Sequence, residues 1–387
     1  MKIKYILPII LLLPLTACVF GQKSLSDINR GVVPVKVNPY AAEQKKRPAS
    51  NIAALPGGRP QNINGNTVYI YDRPTNPNIP VYHQTTVSGG YVPSFFDVAD
   101  FPHKNWGITA MGLDNVSYTG AGITVAVLDS GVVQHEQFCP GLVDILNISG
   151  VDYDYDAYGH GTAVAGIIGG CGPEGSGFAG VAPRVKMKVY KITDNKGSTN
   201  NINIERAVER ILEHNRLYPN SPISIINISY GLSADDETVK NALKAAYDAG
   251  IVIVAPAGND GKEALAYPAA YDFVIAVGGL RPSRKFFDMS NYGAGLAFTA
   301  PASAIYAPSI DGYYSWVKGT SFAAPYITGM AALVQEAYKK QHGALPSPKK
   351  VYEILVRISV GQEGLTPQFQ GYGLPDASKI EKAVRLL

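Results

Sequence analysis

The sequence predicts an α/β domain, a three-layer fold with a mostly parallel central sheet and helices on both of its faces. Two observations carry that prediction. Apolar, β-branched runs at residues 123–128, 186–192, 223–228, 251–255 and 274–277 are continuous rather than alternating, as strands covered on both faces require. Between them, residues 161–169, 203–215 and 235–249 carry helical spacing, and strands alternating with helices build parallel sheets through crossover connections. The last of these helices has Ser233 in place as an N-cap and stops at Gly250. No internal repeat is visible.

Composition narrows the function classes. The chain has 387 residues, and 34 Lys+Arg against 31 Asp+Glu leave a net charge of +3, without the dense basic patch that a nucleic-acid partner demands. Hydrophobic residues make up 46%, enough to bury a substantial core. The 40 Gly and 27 Pro stay below the level of low-complexity chains. Three Cys are too few for a disulfide scaffold and wrongly spaced for zinc.

The N-terminus speaks to location. Lys2 and Lys4 precede an apolar run over residues 5–15, the pattern of a secretory signal and too short to span a bilayer. It closes on Leu15-Thr16-Ala17-Cys18, which resembles the lipobox of bacterial lipoproteins. That resemblance implies a signal peptide over residues 1–17 and a lipid on Cys18, anchoring the protein to a membrane without crossing it. An ordinary signal peptide with an incidental Cys is the alternative. Val19 follows, with no Asp there to suggest inner-membrane retention, so the expected location in a Gram-negative host is the outer membrane.

Residues 18–100 read as a tether. Pro recurs at 34, 39, 48, 56, 60, 74, 77, 80 and 93, removing backbone donors and blocking regular helix. Residues 32–37 and 67–71 alternate and could each add a strand to the main domain. An inhibitory pro-segment is the alternative for this stretch, and Lys45-Lys46-Arg47 reads either as a processing site or as a solvated cluster. The compact part begins near Trp106, within a domain spanning residues 101–387.

Four segments of that domain carry chemistry. Active residues of such sheets gather at the carboxyl ends of strands. Val125-Ala126-Val127-Leu128-Asp129-Ser130-Gly131 ends a strand on a carboxylate, suited to orienting a histidine, binding a metal or capping a loop. Tyr158-Gly159-His160-Gly161-Thr162 opens a helix on a histidine flanked by glycines. Val254-Ala255-Pro256-Ala257-Gly258-Asn259-Asp260-Gly261 ends a strand on an amide, and Gly319-Thr320-Ser321-Phe322-Ala323-Ala324-Pro325 opens a helix on a hydroxyl. Backbone N–H groups beside that hydroxyl can stabilise an anion.

Together these segments resemble the subtilisin-like serine peptidases, whose Asp, His, Ser order is matched by Asp129, His160 and Ser321. The family's usual Met after the serine is Phe322 here. Supporting stretches are Gly180-Val181-Ala182-Pro183, Asn227-Ile228-Ser229-Tyr230-Gly231, Tyr267-Pro268-Ala269 and Gly371-Tyr372-Gly373-Leu374-Pro375-Asp376-Ala377. The resemblance covers about residues 105 to 387 and implies a serine endopeptidase working through an acyl-enzyme. In it Ser321 is the nucleophile, His160 the base and acid, Asp129 the orienting carboxylate, and Asn259 an oxyanion donor. An inactive binding scaffold, or an acyl-transfer or peptide-cyclising enzyme on the same residues, is the alternative.

The resemblance also implies how a protein or peptide substrate binds. Its backbone pairs with Ser229-Tyr230-Gly231, while Ala257, Gly258 and Ala266 shape the first side-chain pocket. None of these is charged, so apolar or aromatic residues are expected before the cut. Relatives join two loops here by calcium, yet residues 170–177 offer no Asn or Asp. No metal or other cofactor is therefore expected, and a Cys139–Cys171 disulfide is proposed to staple the loops, against the alternative of two free thiols. The enzyme is expected to be a monomer.

Overall fold

In the computed structural model, the residues described are 59–63, 66–70, 105–172, 179–232 and 234–386. The signal peptide, Cys18, residues 32–37 and Ser233 lie outside them.

Strands β1 (Arg59–Ile63) and β2 (Asn66–Ile70) pair antiparallel in a two-stranded ladder of their own. The strand expected at residues 67–71 is therefore present over most of its length. Its partner is the neighbouring strand β1 rather than the main sheet.

The larger unit opens with α1 (Trp106–Ala110) and then builds one seven-stranded sheet. Its strands are β3 (Thr124–Asp129), β4 (Val143–Asn147), β5 (Lys186–Lys191), β6 (Ile223–Ile228), β7 (Val252–Pro256), β8 (Ile275–Leu280) and β9 (Leu296–Pro301). The spatial order is β4-β5-β3-β6-β7-β8-β9, and each of its ladders is parallel. From β3 the chain first places β4 at one edge, inserts β5 between them, and then crosses to the other side of β3 with β6. A crevice outside the carboxyl ends of β3 and β6 is the consequence, the usual place for a site in such a sheet.

Side chains of each central strand serve two cores. Val125 and Val127 of β3 join one apolar cluster, whereas Ala126 and Leu128 join another. The first is completed by α2 (His160–Gly169), α5 (Thr320–His342) and α6 (Pro348–Ile358), through residues such as Ile167, Met330 and Leu355. The second is completed by α3 (Asn201–Leu217) and α4 (Glu237–Asp248), through Ile204, Val208 and Leu243. This is the expected three-layer α/β architecture.

Helix α4 starts later than position 233 would have it. Asp236 is the cap, its side chain accepting from the Val239 N–H, as a short acidic side chain at that position does well. Strand β4 escaped the reading of continuous apolar runs because it lies at the sheet edge, where its residues alternate between half-buried and exposed.

Before α5 the chain forms a hairpin of β10 (Ile305–Pro308) and β11 (Tyr314–Val317). Its aromatic rings pack across the ladder, Tyr306 stacking on Tyr314 at 5.3 Å and meeting Trp316 at a tilt, with centroids 4.9 Å apart. The hairpin delivers the chain to Gly319 at the N-terminus of α5, inside the crevice.

Candidate active site

Strand β3 ends on Asp129 and α2 begins on His160, and the crevice brings the two into contact. Asp129 is 1% exposed and His160 7%. The His160 Nδ1 lies 2.8 Å from Asp129 Oδ1 and 3.0 Å from Oδ2. With Nδ1–H donated to the carboxylate, the imidazole presents the lone pair of Nε2. Burial works against the imidazolium, but the charge of Asp129, its hydrogen bond and the charge of Asp156 outweigh it, so the pKa of His160 lies above the ordinary histidine value.

Facing this pair is the first turn of α5. The ring of Phe322 sits 5.0 Å from the His160 ring, which places the preceding residue, Ser321, at the same end of the crevice. Gly319 caps the helix at φ 133°, a conformation that strains any side chain. The opening N–H groups of a helix have no partner within it. One is taken by Asn259, whose Oδ1 accepts from the Thr320 N–H at 2.8 Å and from the Thr320 hydroxyl at 2.9 Å. Its carbonyl end thus committed, the Asn259 amide keeps its NH₂ as the end available to a ligand.

A buried polar ladder backs the serine. Thr328 donates to Asn227 Oδ1 at 2.8 Å, Asn227 Nδ2 donates to the Ser229 hydroxyl at 2.9 Å, and that hydroxyl donates to the Ser321 carbonyl at 2.9 Å. Ser229 thus turns its side chain away from the crevice, and what it has to offer a substrate is main chain. Tyr230 lies beside it. Its hydroxyl donates to the Gly197 carbonyl, and burial pushes its pKa up.

The small residues singled out for a pocket are brought together. A side chain at Gly258 would begin 3.1 Å from the Ala266 methyl group, and one at Gly231 would begin 3.5 Å from it. Ala266 in turn donates from its N–H to the Ala257 carbonyl at 2.8 Å. Gly258 adopts φ 109°, and a methyl group there would meet Asn291 Nδ2 at 2.4 Å, so only glycine fits. Asn291 belongs to none of the four chemical segments of the sequence. Its Oδ1 accepts from the N–H groups of Asp260 and Lys262, holding the loop that presents Asn259.

Cys139 and Cys171 are joined, with Cα atoms 5.8 Å apart. Residues 173–177 of the loop discussed for calcium lie outside the described residues. The flank Gly170-Cys171-Gly172 carries no side-chain oxygen, and its cysteine is taken up by the bridge. Among the described residues, no cluster of three or more His, Cys, Asp or Glu is placed to hold a metal, and no helix is long and apolar enough to cross a membrane.

The model of the peptidase S8 subtilase family matches residues 120–373, which is most of the chain and all of the crevice. The chain belongs to the subtilase family. It is a serine-type endopeptidase. Among curated relatives, it is 32% identical to subtilisin DY of Bacillus licheniformis over 240 residues, covering 60% of this chain and 85% of the relative. Subtilisin Savinase of Lederbergia lenta is 32% identical over 241 residues, covering 60% of this subtilase and 84% of that protein. The minor extracellular protease Epr of Bacillus subtilis strain 168 is 33% identical over 266 residues, which are 66% of this subtilase but only 38% of Epr.

Proposed function

We propose that this subtilase hydrolyses peptide bonds of protein or peptide substrates through Asp129, His160 and Ser321, with Asn259 as oxyanion donor. The observation that carries this reading is the Asp129–His160 hydrogen bond at 2.8 Å, at the same end of the crevice as the opening turn of α5. The Ser321 hydroxyl attacks the scissile carbonyl carbon while its proton passes to His160 Nε2. Asp129 holds the tautomer and stabilises the imidazolium. The tetrahedral oxyanion is met by the Asn259 NH₂ and the Ser321 N–H. The C–N bond then breaks, the amine leaves with the proton from His160, and water repeats the sequence on the ester to release the acid.

The substrate's main chain is proposed to run along Ser229-Tyr230-Gly231, with its side chain before the cut in the space bordered by Ala257, Gly258 and Ala266. Those residues bring no charge, which supports apolar or aromatic preferences there. Export is supported by the basic-then-apolar N-terminus and by the extracellular designation of Epr. The lipobox-like Leu15-Thr16-Ala17-Cys18 supports a lipid on Cys18.

Full-length protein extracted in detergent and incubated with unfolded casein tests the activity. Cleavage by the wild type and none by Ser321→Ala is expected; equal cleavage by both removes Ser321 from its role. Mass spectrometry of the same preparation reports the diacylglyceryl mass on Cys18, and an unmodified Cys18 in membrane-extracted protein ends the anchoring proposal.

A further inference from the structure

Behind the Asp129–His160 pair lies a second buried carboxylate. Asp156 is 1% exposed and accepts five hydrogen bonds. Its Oδ1 receives the Ser130 hydroxyl at 2.8 Å and the N–H groups of Tyr158 and Gly159 at 2.9 and 2.7 Å. Its Oδ2 receives the N–H and the hydroxyl of Thr162 at 2.9 and 2.7 Å. The Ser130 hydroxyl, having donated to Asp156, accepts from the Gly161 N–H at 2.8 Å.

This pattern has a local cause. Helix α2 starts from Gly159 in the left-handed region, at φ 97°, and glycine has no side chain with which to cap it. A helix beginning without a cap leaves its first N–H groups bare, which is costly when they are buried. Asp156, three residues upstream of Gly159, takes the Thr162 N–H, and the Ser130 hydroxyl that it holds takes the Gly161 N–H. Its negative charge also sits where the helix dipole favours an anion.

The other end of the same carboxylate grips strand β3. Ser130 directly follows Asp129, and its N–H donates to Asp129 Oδ1 at 2.7 Å. Main chain presses on main chain here, for a methyl group at Gly161 would lie 2.2 Å from the Gly131 carbonyl oxygen. In the parallel ladder Asp129 pairs with Lys191 of β5. Lys191 is fully buried, and its Nζ donates to the Ser130 carbonyl at 2.9 Å. Thus Asp129, Ser130, Asp156, Lys191 and the first turn of α2 form one buried network, into which His160 is set.

Charge follows geometry. Around His160 the ionised groups are Asp129 and Asp156, with Lys191 beyond Ser130; the α5 side presents Phe322, and the Tyr230 hydroxyl stays neutral because burial raises its pKa. The two carboxylates act on the ring in the same direction, favouring its imidazolium.

We propose that Asp156 is a positioning residue for the hydrolysis: through Ser130 and the opening turn of α2 it sets the distance and angle at which His160 meets Asp129, and its charge favours the imidazolium that forms during turnover. The proposal rests on the reading of His160 as the base. It goes beyond that reading by giving a second carboxylate, which does not touch the His160 ring, a share in the rate.

The test uses the full chain and a chromogenic peptide cleaved by the wild type. Asp156→Asn keeps the shape but leaves one end of the side chain unable to accept from Thr162. We expect kcat to fall about 10- to 100-fold, the scale on which small misplacements of a catalytic group act, with KM within about twofold of wild type. The acidic limb of the kcat/KM profile should move to lower pH, because His160 loses a neighbouring negative charge and gives up its proton more readily. A folded Asp156→Asn with unchanged kcat and an unmoved limb makes Asp156 a helix cap and nothing more, and overturns the proposal.

Where circular dichroism finds Asp156→Asn unfolded, Ser130→Ala decides instead, since it removes only the hydroxyl linking the two segments. A drop in kcat of about three- to tenfold at constant KM supports the proposal, and an unchanged kcat refutes it. An inactive wild type would count against the functional reading alone. In that case the His160 titration followed by NMR still judges Asp156: a lower midpoint in Asp156→Asn supports its action on the ring, and an equal midpoint overturns it.

Discussion

The Ser229 hydroxyl donates to the main-chain carbonyl of Ser321 at 2.9 Å, and the sequence of α5 explains why it must. In an α-helix that carbonyl would receive the N–H of the residue four positions on. That residue is Pro325, inside the helix and without an N–H. The hydroxyl from the end of β6 takes the vacant place and ties the serine-bearing turn to the sheet.

Ser229→Ala leaves the partly buried Ser321 carbonyl without this partner. A loss of about 1–3 kcal/mol is expected, read as a lower urea midpoint at unchanged slope. The loss should shrink in a Pro325→Ala background, where the helix can supply its own donor. Equal losses in both backgrounds would refute the substitution of one donor for the other.

Asn259→Ala removes the proposed oxyanion donor and also the acceptor for Thr320. We expect kcat to fall by about 10²–10³, the loss known for the corresponding amide of subtilisin, a member of the same family, with a small change in KM. A fall confined to KM would move Asn259 from the transition state to ground-state binding.

Activity should depend on pH through His160. Only the neutral imidazole accepts the Ser321 proton, and its pKa is raised above 6.5, so the acidic limb of kcat/KM is expected above that value. Stability carries the opposite sign. The folded state favours the imidazolium, so this contribution is complete below the unfolded pKa near 6.5 and is lost as pH rises through the higher folded value. Asp129→Asn should move the limb downward, and a pH profile unchanged by that substitution contradicts the pairing.

The Cys139–Cys171 bridge spans 32 residues of sequence. On loop-closure arguments it stabilises by about 3–4 kcal/mol. Denaturant midpoints of the wild type and of the Cys139→Ser, Cys171→Ser double variant measure this, and coincident midpoints would show that the loops hold without the staple.

Much of the site was legible along the chain. Asp129 closes a buried strand, His160 and Ser321 each open a glycine-flanked helix, and Asn259 follows another strand, so each stands where an α/β sheet exposes side chains. Asp156 was not legible. In the run Asp152-Tyr153-Asp154-Tyr155-Asp156 three carboxylates look alike, and only the third is buried, because the turn into α2 folds over it. Ser229 was read for its main chain, and the task of its hydroxyl depends on Ser321, 92 residues away. Strand β4 was overlooked because an edge strand buries one face only.

Local order thus determined the strands, the helices and the four chemical segments, because hydrophobic period, glycine and short polar side chains act over a few residues. Tertiary structure alone decided which of several equal carboxylates became a buried hub, where the hydroxyl of Ser229 points, and how small residues from separate loops meet at Ala266. Those outcomes depend on which backbone donors folding leaves bare in the interior, and a bare donor or acceptor is satisfied by whatever side chain the packed chain brings within reach.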